Sequence, residues 1–223
     1  MSGARWATFD CYGTLVDWNG GIGGELERLF GAAPAPRLLA RYHELEPVVQ
    51  AEAYRSYRDV LTETLIRLAS EQGLAVPEGE GAALADSLPH WPSFPEAPAA
   101  LEKLRARGWR LAILSNTDRD LIAASQRQLG VPFDVVVVAQ DIGSYKPAHR
   151  HWLAFAELAA VAPERHVHVA ASLFHDIAPA GELGLTSVWI NRLGESAPPG
   201  VLPTRELPDL RALPDTLDAL VPA

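Results

Sequence analysis

The sequence predicts an α/β protein: a doubly wound parallel sheet interrupted, after its first strand, by a long helical insertion. Three observations carry this. Short apolar runs at 6–10, 109–114, 135–139, 167–171 and 187–191 alternate with helix-length amphipathic stretches, the pattern of βαβ units joined by crossovers. The stretch between the first two runs, about residues 17–92, contains no strand-like run and carries helical periodicity. The 223 residues, 48% hydrophobic and 21% charged, suit one globular unit with a subdomain.

Trp6–Asp10 reads as the first strand. Val16–Gly24 is glycine-rich and leads the chain out of the sheet, and Glu25–Phe30 forms a short helix. Leu38–Leu74 is helical through Leu39, Tyr42, Leu45, Val49, Tyr54, Leu61, Leu65 and Leu68. Pro47 should end or kink that helix near Glu46, and Gly73 supplies a C-cap. Glu78–Leu88 is a further short helix. The three prolines of Trp91–Pro98 make a stiff, extended return, so the core comprises 1–16 and 93–223 and the cap 17–92.

Ala99–Arg107 is a helix stopped by Gly108, and Trp109–Leu114 is the second strand. The helix Asp118–Leu129 stops at Gly130, before the four valines of the buried strand Val135–Ala139. Ala148–Val161 is helical, Val167–Ala171 a strand, Asp176–Leu183 a helix closed by Gly184, and Ser187–Asn191 the last clear strand. The proline-rich tail holds Leu207–Leu210 and a closing helix near Leu217.

A net charge of −9 argues against nucleic acid or an anionic membrane as partner. No run approaches membrane-spanning length and no signal peptide precedes Trp6, so a cytoplasmic protein is expected. The apolar insertion can serve a homodimer or only a pocket. The single cysteine, Cys11, excludes an internal disulfide and reads as a packed small residue.

Asp10 ends an apolar strand and is followed by Gly13-Thr14, whose free backbone N–H groups and turn place a carboxylate where an α/β sheet binds ligands. Taken alone, Asp10 can equally cap a turn. Ser115-Asn116 closes the second run, Ser144-Tyr145-Lys146-Pro147 presents a lysine, and Ser172-Leu173-Phe174-His175-Asp176 follows the fourth run. Asp, Ser/Asn, Lys and Asp in this order at strand ends resemble the haloacid dehalogenase superfamily, most closely its L-2-haloacid dehalogenase (type II) branch. The resemblance extends over nearly the whole chain. It implies a Rossmann-like core with a helical cap and a small halogenated carboxylic acid as substrate.

On this resemblance Asp10 is the nucleophile, and a covalent ester is formed and then hydrolysed. The phosphatases of the superfamily usually carry a second Asp two residues after the nucleophile, to protonate a basic alkoxide. Here that place holds Tyr12, which favours a leaving group needing no proton, a halide. A dehalogenase of this kind uses no cofactor, whereas a phosphatase would use Mg²⁺, for which the fourth motif offers only Asp176. Lys146 neutralises Asp10 and Asp176 and keeps both ionised. Thr14 assists Asp10, and Ser115 and Asn116 offer donors to a substrate carboxylate or ester oxyanion. Arg41, in Leu38–Glu46, resembles the family's halide-binding arginine, with Arg55 and Arg58 as competitors. Trp18, Tyr54, Tyr57, Trp91 and Phe94 line a pocket or simply pack. The branch usually carries Ser and Asn where this chain has Ala171 and Leu173, so His175 with Asp176 is expected to activate water. His166 and His168 share a strand face without a third ligand and read as packed or surface residues, with no metal site expected. The alternatives are a Mg²⁺-dependent phosphatase of a small metabolite and a non-catalytic binding protein.

Overall fold

The computed structural model describes residues 3–223. Strand β1 (Arg5–Phe9) is buried throughout. Four helices follow before the chain returns to the sheet: α1 (Trp18–Phe30), α2 (Ala35–Ala51), α3 (Tyr57–Glu71) and α4 (Ala83–Ser87), with a 3₁₀ turn at Leu88–His90. Then come α5 (Ala97–Ala106), β2 (Trp109–Ser115), α6 (Arg119–Leu129), β3 (Val135–Val138), α7 (Ala139–Ile142) and α8 (Arg150–Ala159). Strand β4 (His166–Ala170), a π-helical turn at Leu173–Ile177, α9 (Ala178–Glu182), β5 (Thr186–Ile190), β6 (Arg205–Leu207) and α10 (Leu213–Leu220) complete the chain.

All pairings within the sheet are parallel, in the order β3-β2-β1-β4-β5-β6. The chain moves outward on one side of β1 and then on the other, so the switch point lies between β1 and β4. Ligands bind outside the carboxyl ends of strands at such a point. Alternation divides the strands between two layers. Phe9, Ile113, Val167 and Val169 face one core, whereas Trp6, Ala112 and Leu114 pack on Trp152 and Phe155.

The doubly wound sheet is as expected, and the departures have local causes. Helix α1 begins at Trp18, not at Glu25, in spite of its glycines. The Asp17 carboxylate accepts from the Gly20 N–H (2.9 Å), and Ile22 and Leu26 bury the inner face. Gly21 is required there because a Cβ would stand 2.3 Å from the Trp91 ring. Helix α2 runs through Pro47 to Ala51 and does not end near Glu46. Leu38, Tyr42, Leu45 and Val49 bury one face on both sides of the proline, and this packing outweighs the lost i→i−4 bond. The break comes later, so Tyr54 lies outside any helix and is exposed.

Gly79 and Gly81 keep most of the expected Glu78–Leu88 helix in turns, leaving Ala83–Ser87. The expected Asp176–Leu183 helix is instead the π turn followed by α9. Helix α7 and edge strand β6 were not expected; each is four residues or fewer and carries no periodic signal of its own. Among the described residues no helix is long and apolar enough to cross a membrane.

The two chain crossings between sheet and insertion pair with each other. Asp17 N–H donates to Pro92 O (2.8 Å) and Phe94 N–H to Leu15 O (2.9 Å). Asp118 makes a second connection. It opens α6 but does not cap it with its side chain. Its carboxylate accepts from the Tyr57 and Arg58 N–H groups at the start of α3 (3.0 Å each), with only 2% of the residue exposed. Two donors at a helix start are thus satisfied from across the cleft. Asp118→Ala is expected to cost about 2–3 kcal/mol, as lost hydrogen bonds to a charged group do, read from urea denaturation midpoints. Asp118→Asn, which keeps one acceptor oxygen, should recover part of the loss.

Candidate functional site

Asp10 leaves the end of β1 at the switch point, and its N–H donates to Val169 O (3.1 Å) in neighbouring β4. Gly13, at φ +90°, turns the chain so that Thr14 folds back. Thr14 Oγ1 donates to Asp10 Oδ2 (2.9 Å) and accepts from Ala171 N–H (2.9 Å), tying the β1 turn to the β4 turn. Lys146 Nζ donates to Asp10 Oδ1 (2.9 Å), Asp176 Oδ1 (2.7 Å) and Leu114 O (2.8 Å). All three ammonium hydrogens are therefore committed, and the side chain is 1% exposed.

Electrostatics distribute the load unevenly. Burial pushes the Asp10 carboxyl above its ordinary value; Lys146 opposes this and Asp176 adds to it. Burial also works against the Asp176 carboxylate, but Lys146 and His168 hold it well below the usual carboxylate range. Burial alone would lower Lys146, yet its two carboxylate partners raise it overall. The two carboxylates that Lys146 was expected to keep ionised are thus shifted in opposite directions, Asp10 up and Asp176 down.

The remaining expected residues are placed as follows. Asn116 Oδ1 accepts from Lys146 N–H (2.7 Å), while its Nδ2 donates to Lys146 O (3.0 Å) and reaches Gln50 Oε1 (3.4 Å). Its amide therefore clamps the lysine backbone, and the expectation of a free donor toward substrate is corrected. Ser115 Oγ is buried without a partner among the described residues and is a donor left free at the cavity wall. Tyr12 lines the cavity, with its hydroxyl paired to Ser125 Oγ (3.1 Å) and burial pushing its pKa up. His175 is half-buried at the wall, with Nδ1 3.1 Å from Ser172 Oγ. Burial holds its pKa down at about 4, so the imidazole is neutral at pH 7.

Arg41 is a correction. It lies on the outer side of α2, paired with Glu44 (2.5 Å) and Glu71 (2.9 Å), and does not reach the cavity. His43, Glu46 and Gln50 are the α2 residues that do. A helix advances about 100° per residue, so Arg41 stands about 200° from His43. Arg55 and Arg58 pair with Glu52 and Asp120 at the surface. Trp18 and Tyr57 line the cavity, whereas Tyr54 borders a neighbouring recess. Trp91 packs on Tyr12, and Phe94 lies under the Arg192 guanidinium. Cys11 is wholly buried, and burial, reinforced by Asp10, pushes its thiol up, so it is a packed residue.

The cavity measures about 260 Å³, room for a small organic molecule. Asp10, Ser115, Lys146 and Asp176 floor it, and the insertion supplies Trp18, Glu46 and Tyr57. Beneath the floor, His168 Nε2 donates to Asp176 Oδ1 (3.0 Å), and Thr8 Oγ1 bridges His168 Nδ1 (2.9 Å) to His166 Nε2 (2.7 Å). Sequence reasoning missed His168 as a support for Asp176. Its signal was register, since Thr8 pairs with His168 across β1 and β4. Among the described residues no group of three or more His, Cys, Asp or Glu could hold a metal ion. The Lys146 ammonium stands between the two aspartates on their Oδ1 atoms, and Asp176 Oδ2 is left without a hydrogen-bond partner among the described residues.

Residues 4–184 match the family model described as haloacid dehalogenase-like hydrolase. The chain is 28% identical over 215 residues to (S)-2-haloacid dehalogenase H-109 of Pseudomonas putida, covering 94% of this chain and 96% of that protein. It is 29% identical over 166 residues to a phosphoserine phosphatase of Thermus thermophilus, covering 72% and 66%. The crystal structure of the L-2-haloacid dehalogenase RSc1362 superposes with a TM-score of 0.87 at 24% identity, over 97% of this chain and 100% of that one.

Proposed function

The chain belongs to the haloacid dehalogenase-like hydrolases, and from that premise we propose that it cleaves the carbon–halogen bond of a short 2-haloalkanoic acid through an ester on Asp10. The observation that carries this reading is the Asp10 carboxylate itself. It is buried at the switch point and oriented by Lys146 and Thr14, and the residue two places on is Tyr12, whose hydroxyl is paired with Ser125, where a phosphatase would carry an acid. The similarity to the Pseudomonas putida dehalogenase supports the same substrate class.

In the first step Asp10 forms a C–O bond to the halogen-bearing carbon with inversion, and the halide departs with the bonding pair. A halide is a very weak base and needs no proton, so a Tyr12 whose hydroxyl is engaged with Ser125 is no handicap. The free Ser115 hydroxyl holds the substrate carboxylate, while Asn116 keeps Lys146 in place. In the second step water attacks the ester carbonyl and passes a proton to a base; the acyl C–O bond breaks, the base returns that proton to the departing alkoxide oxygen to give the hydroxy acid, and Asp10 is left to ionise again. His175, neutral and at the wall, is that base, in place of side chains that Ala171 and Leu173 cannot supply. The helices of 17–92 close the cavity and exclude bulk water.

Halide release from 2-chloropropionate, with and without EDTA, tests the reading. The similarity to a phosphoserine phosphatase favours a second reading, a Mg²⁺-dependent phosphatase. Phosphate release from an aryl phosphate, lost on chelation, with no halide from haloacids, would put it first. Within the dehalogenase reading, His175→Ala is expected to slow ester hydrolysis about 10²-fold or more and to leave ester formation intact. The enzyme would then accumulate the substrate's mass on Asp10, seen by mass spectrometry. Unchanged single-turnover hydrolysis would remove His175 from the mechanism.

A further inference from the structure

We propose that the substrate of this site carries a protonated amine as well as its carboxylate, and that Glu46 receives the ammonium between the aromatic walls of Trp18 and Tyr57. The substrate assignment rests on the reading of Asp10 as nucleophile toward a halogenated acid, and it narrows that acid to a zwitterionic one.

The charges lining the cavity are the first ground. Asp10, Glu46, Asp176 and Glu195 face it, against one cationic side chain, Lys146. The lysine's three hydrogens are spent on Asp10, Asp176 and Leu114 O. Arg41 points away, and no arginine lines the cavity. Burial holds His43 below its ordinary value, against an upward pull from Glu195, so it is not a competing cation. A purely anionic substrate would enter a field of its own sign with only neutral donors to meet it. A zwitterion brings the missing charge.

Glu46 is the second ground. It is 6% exposed, on the cavity side of α2. One oxygen accepts from the Tyr57 hydroxyl (2.8 Å), and the buried Tyr42 hydroxyl also lies against the carboxylate, so its partners are neutral hydroxyls. Burial pushes its pKa up to about 7, against the Tyr57 and Tyr42 hydroxyls, which pull it down. A buried carboxylate in that position is costly until a cation arrives. An arriving ammonium would draw it into the ionised form.

The walls are the third ground. Trp18 Nε1 donates to the Tyr57 hydroxyl (3.1 Å), fixing both rings, and Tyr57 stacks on Tyr12 with centroids 6.3 Å apart. Aromatic faces beside a carboxylate attract a desolvated ammonium, through the ring quadrupole and the charge together. A role confined to accepting the Tyr57 hydrogen bond would be met by glutamine equally well, and that is what the experiment separates.

Two unreactive ligands, β-alanine and propionate, are titrated against the whole protein while its indole N–H signals are followed by NMR. They differ by one ammonium group. The β-alanine dissociation constant should be lower by about tenfold or more. Glu46→Gln should erase that advantage and tighten propionate. In kinetics, kcat/KM for halide release from 3-amino-2-chloropropanoate should exceed that from 2-chloropropionate by a similar factor. Equal binding of β-alanine and propionate by the wild-type protein overturns the ammonium site, whatever the enzyme does with haloacids. A β-alanine preference with no halide released from either chloro acid upholds the ammonium site and overturns the dehalogenase reading.

Discussion

Asp10→Asn is expected to abolish halide release from 2-chloropropionate, lowering turnover by about 10⁴-fold or more, the scale on which loss of a covalent nucleophile is felt. Asparagine keeps the shape and one carbonyl oxygen for Thr14 or Lys146, so the cavity remains while the attacking charge is lost. No substrate mass should appear on residue 10 in a single-turnover experiment. Stability should move the other way. Burial raises the Asp10 carboxyl in the folded state, so ionised Asp10 works against folding. The stability linked to its proton is present at low pH and lost as pH rises through the folded value. At neutral pH the wild-type protein therefore carries an unfavourable charge that the variant lacks, and the urea midpoint of Asp10→Asn should be no lower. Such a trade of stability for a reactive group is common at active sites. Undiminished turnover would remove Asp10 as nucleophile, and with it the proposed mechanism.

The framework was legible because periodicity is written along the chain. Each of the five expected strands has an observed counterpart within about two residues, and their parallel order follows from helices between them. What failed was the part decided by contacts distant in sequence. The glycines after Asp17 suggested a loop, but a single glycine at 21 admits Trp91, seventy residues on, and the helix continues through. Pro47 suggested a stop, but the buried face of α2 spans it.

For the candidate site, Asp10, Thr14 and Asp176 were legible because they follow strand ends, which the sheet brings together, whereas Lys146 arrives from the loop beyond α7 and was legible only through the Ser144–Pro147 motif. Ser115 and Asn116 were both expected to offer donors to substrate, but the Asn116 amide is spent on the Lys146 backbone and Gln50. Both line the cavity, and which of the two keeps a free donor depends on the return of the chain at Lys146, 30 residues after Asn116. Arg41 was misplaced because a helix phase error of two residues reverses the face presented. The roles of Glu46 and His168 were overlooked for a shared reason: each is a buried polar residue in an element read for its apolar periodicity, and only its partner, Tyr57 or Asp176, gives it meaning.

Lys146→Met tests whether the site stands on one buried cation. Methionine fills much of the stem volume but leaves Asp10, Asp176 and the Leu114 carbonyl without their shared donor. Removing one partner from a buried ionic cluster costs about 3–5 kcal/mol, because the other charges remain desolvated. Activity should fall by about 10³-fold or more, since Asp10, the proposed nucleophile, loses both its alignment and its counter-charge. The pH dependence gives the sharper test. In the wild-type protein Asp176 sits below its ordinary value, so its contribution is present at neutral pH and is lost only as pH falls through the acid range. Lys146 is raised, so its contribution persists until pH climbs past the ordinary lysine value. In the variant two neighbouring buried carboxylates face each other uncompensated, and protonating either relieves the repulsion. The gap in urea midpoint between the two proteins should therefore be widest from neutral to mildly alkaline pH and should close on acidification. A gap that stays constant across that range would assign the loss to packing alone, and Lys146 would no longer be the electrostatic centre of the site.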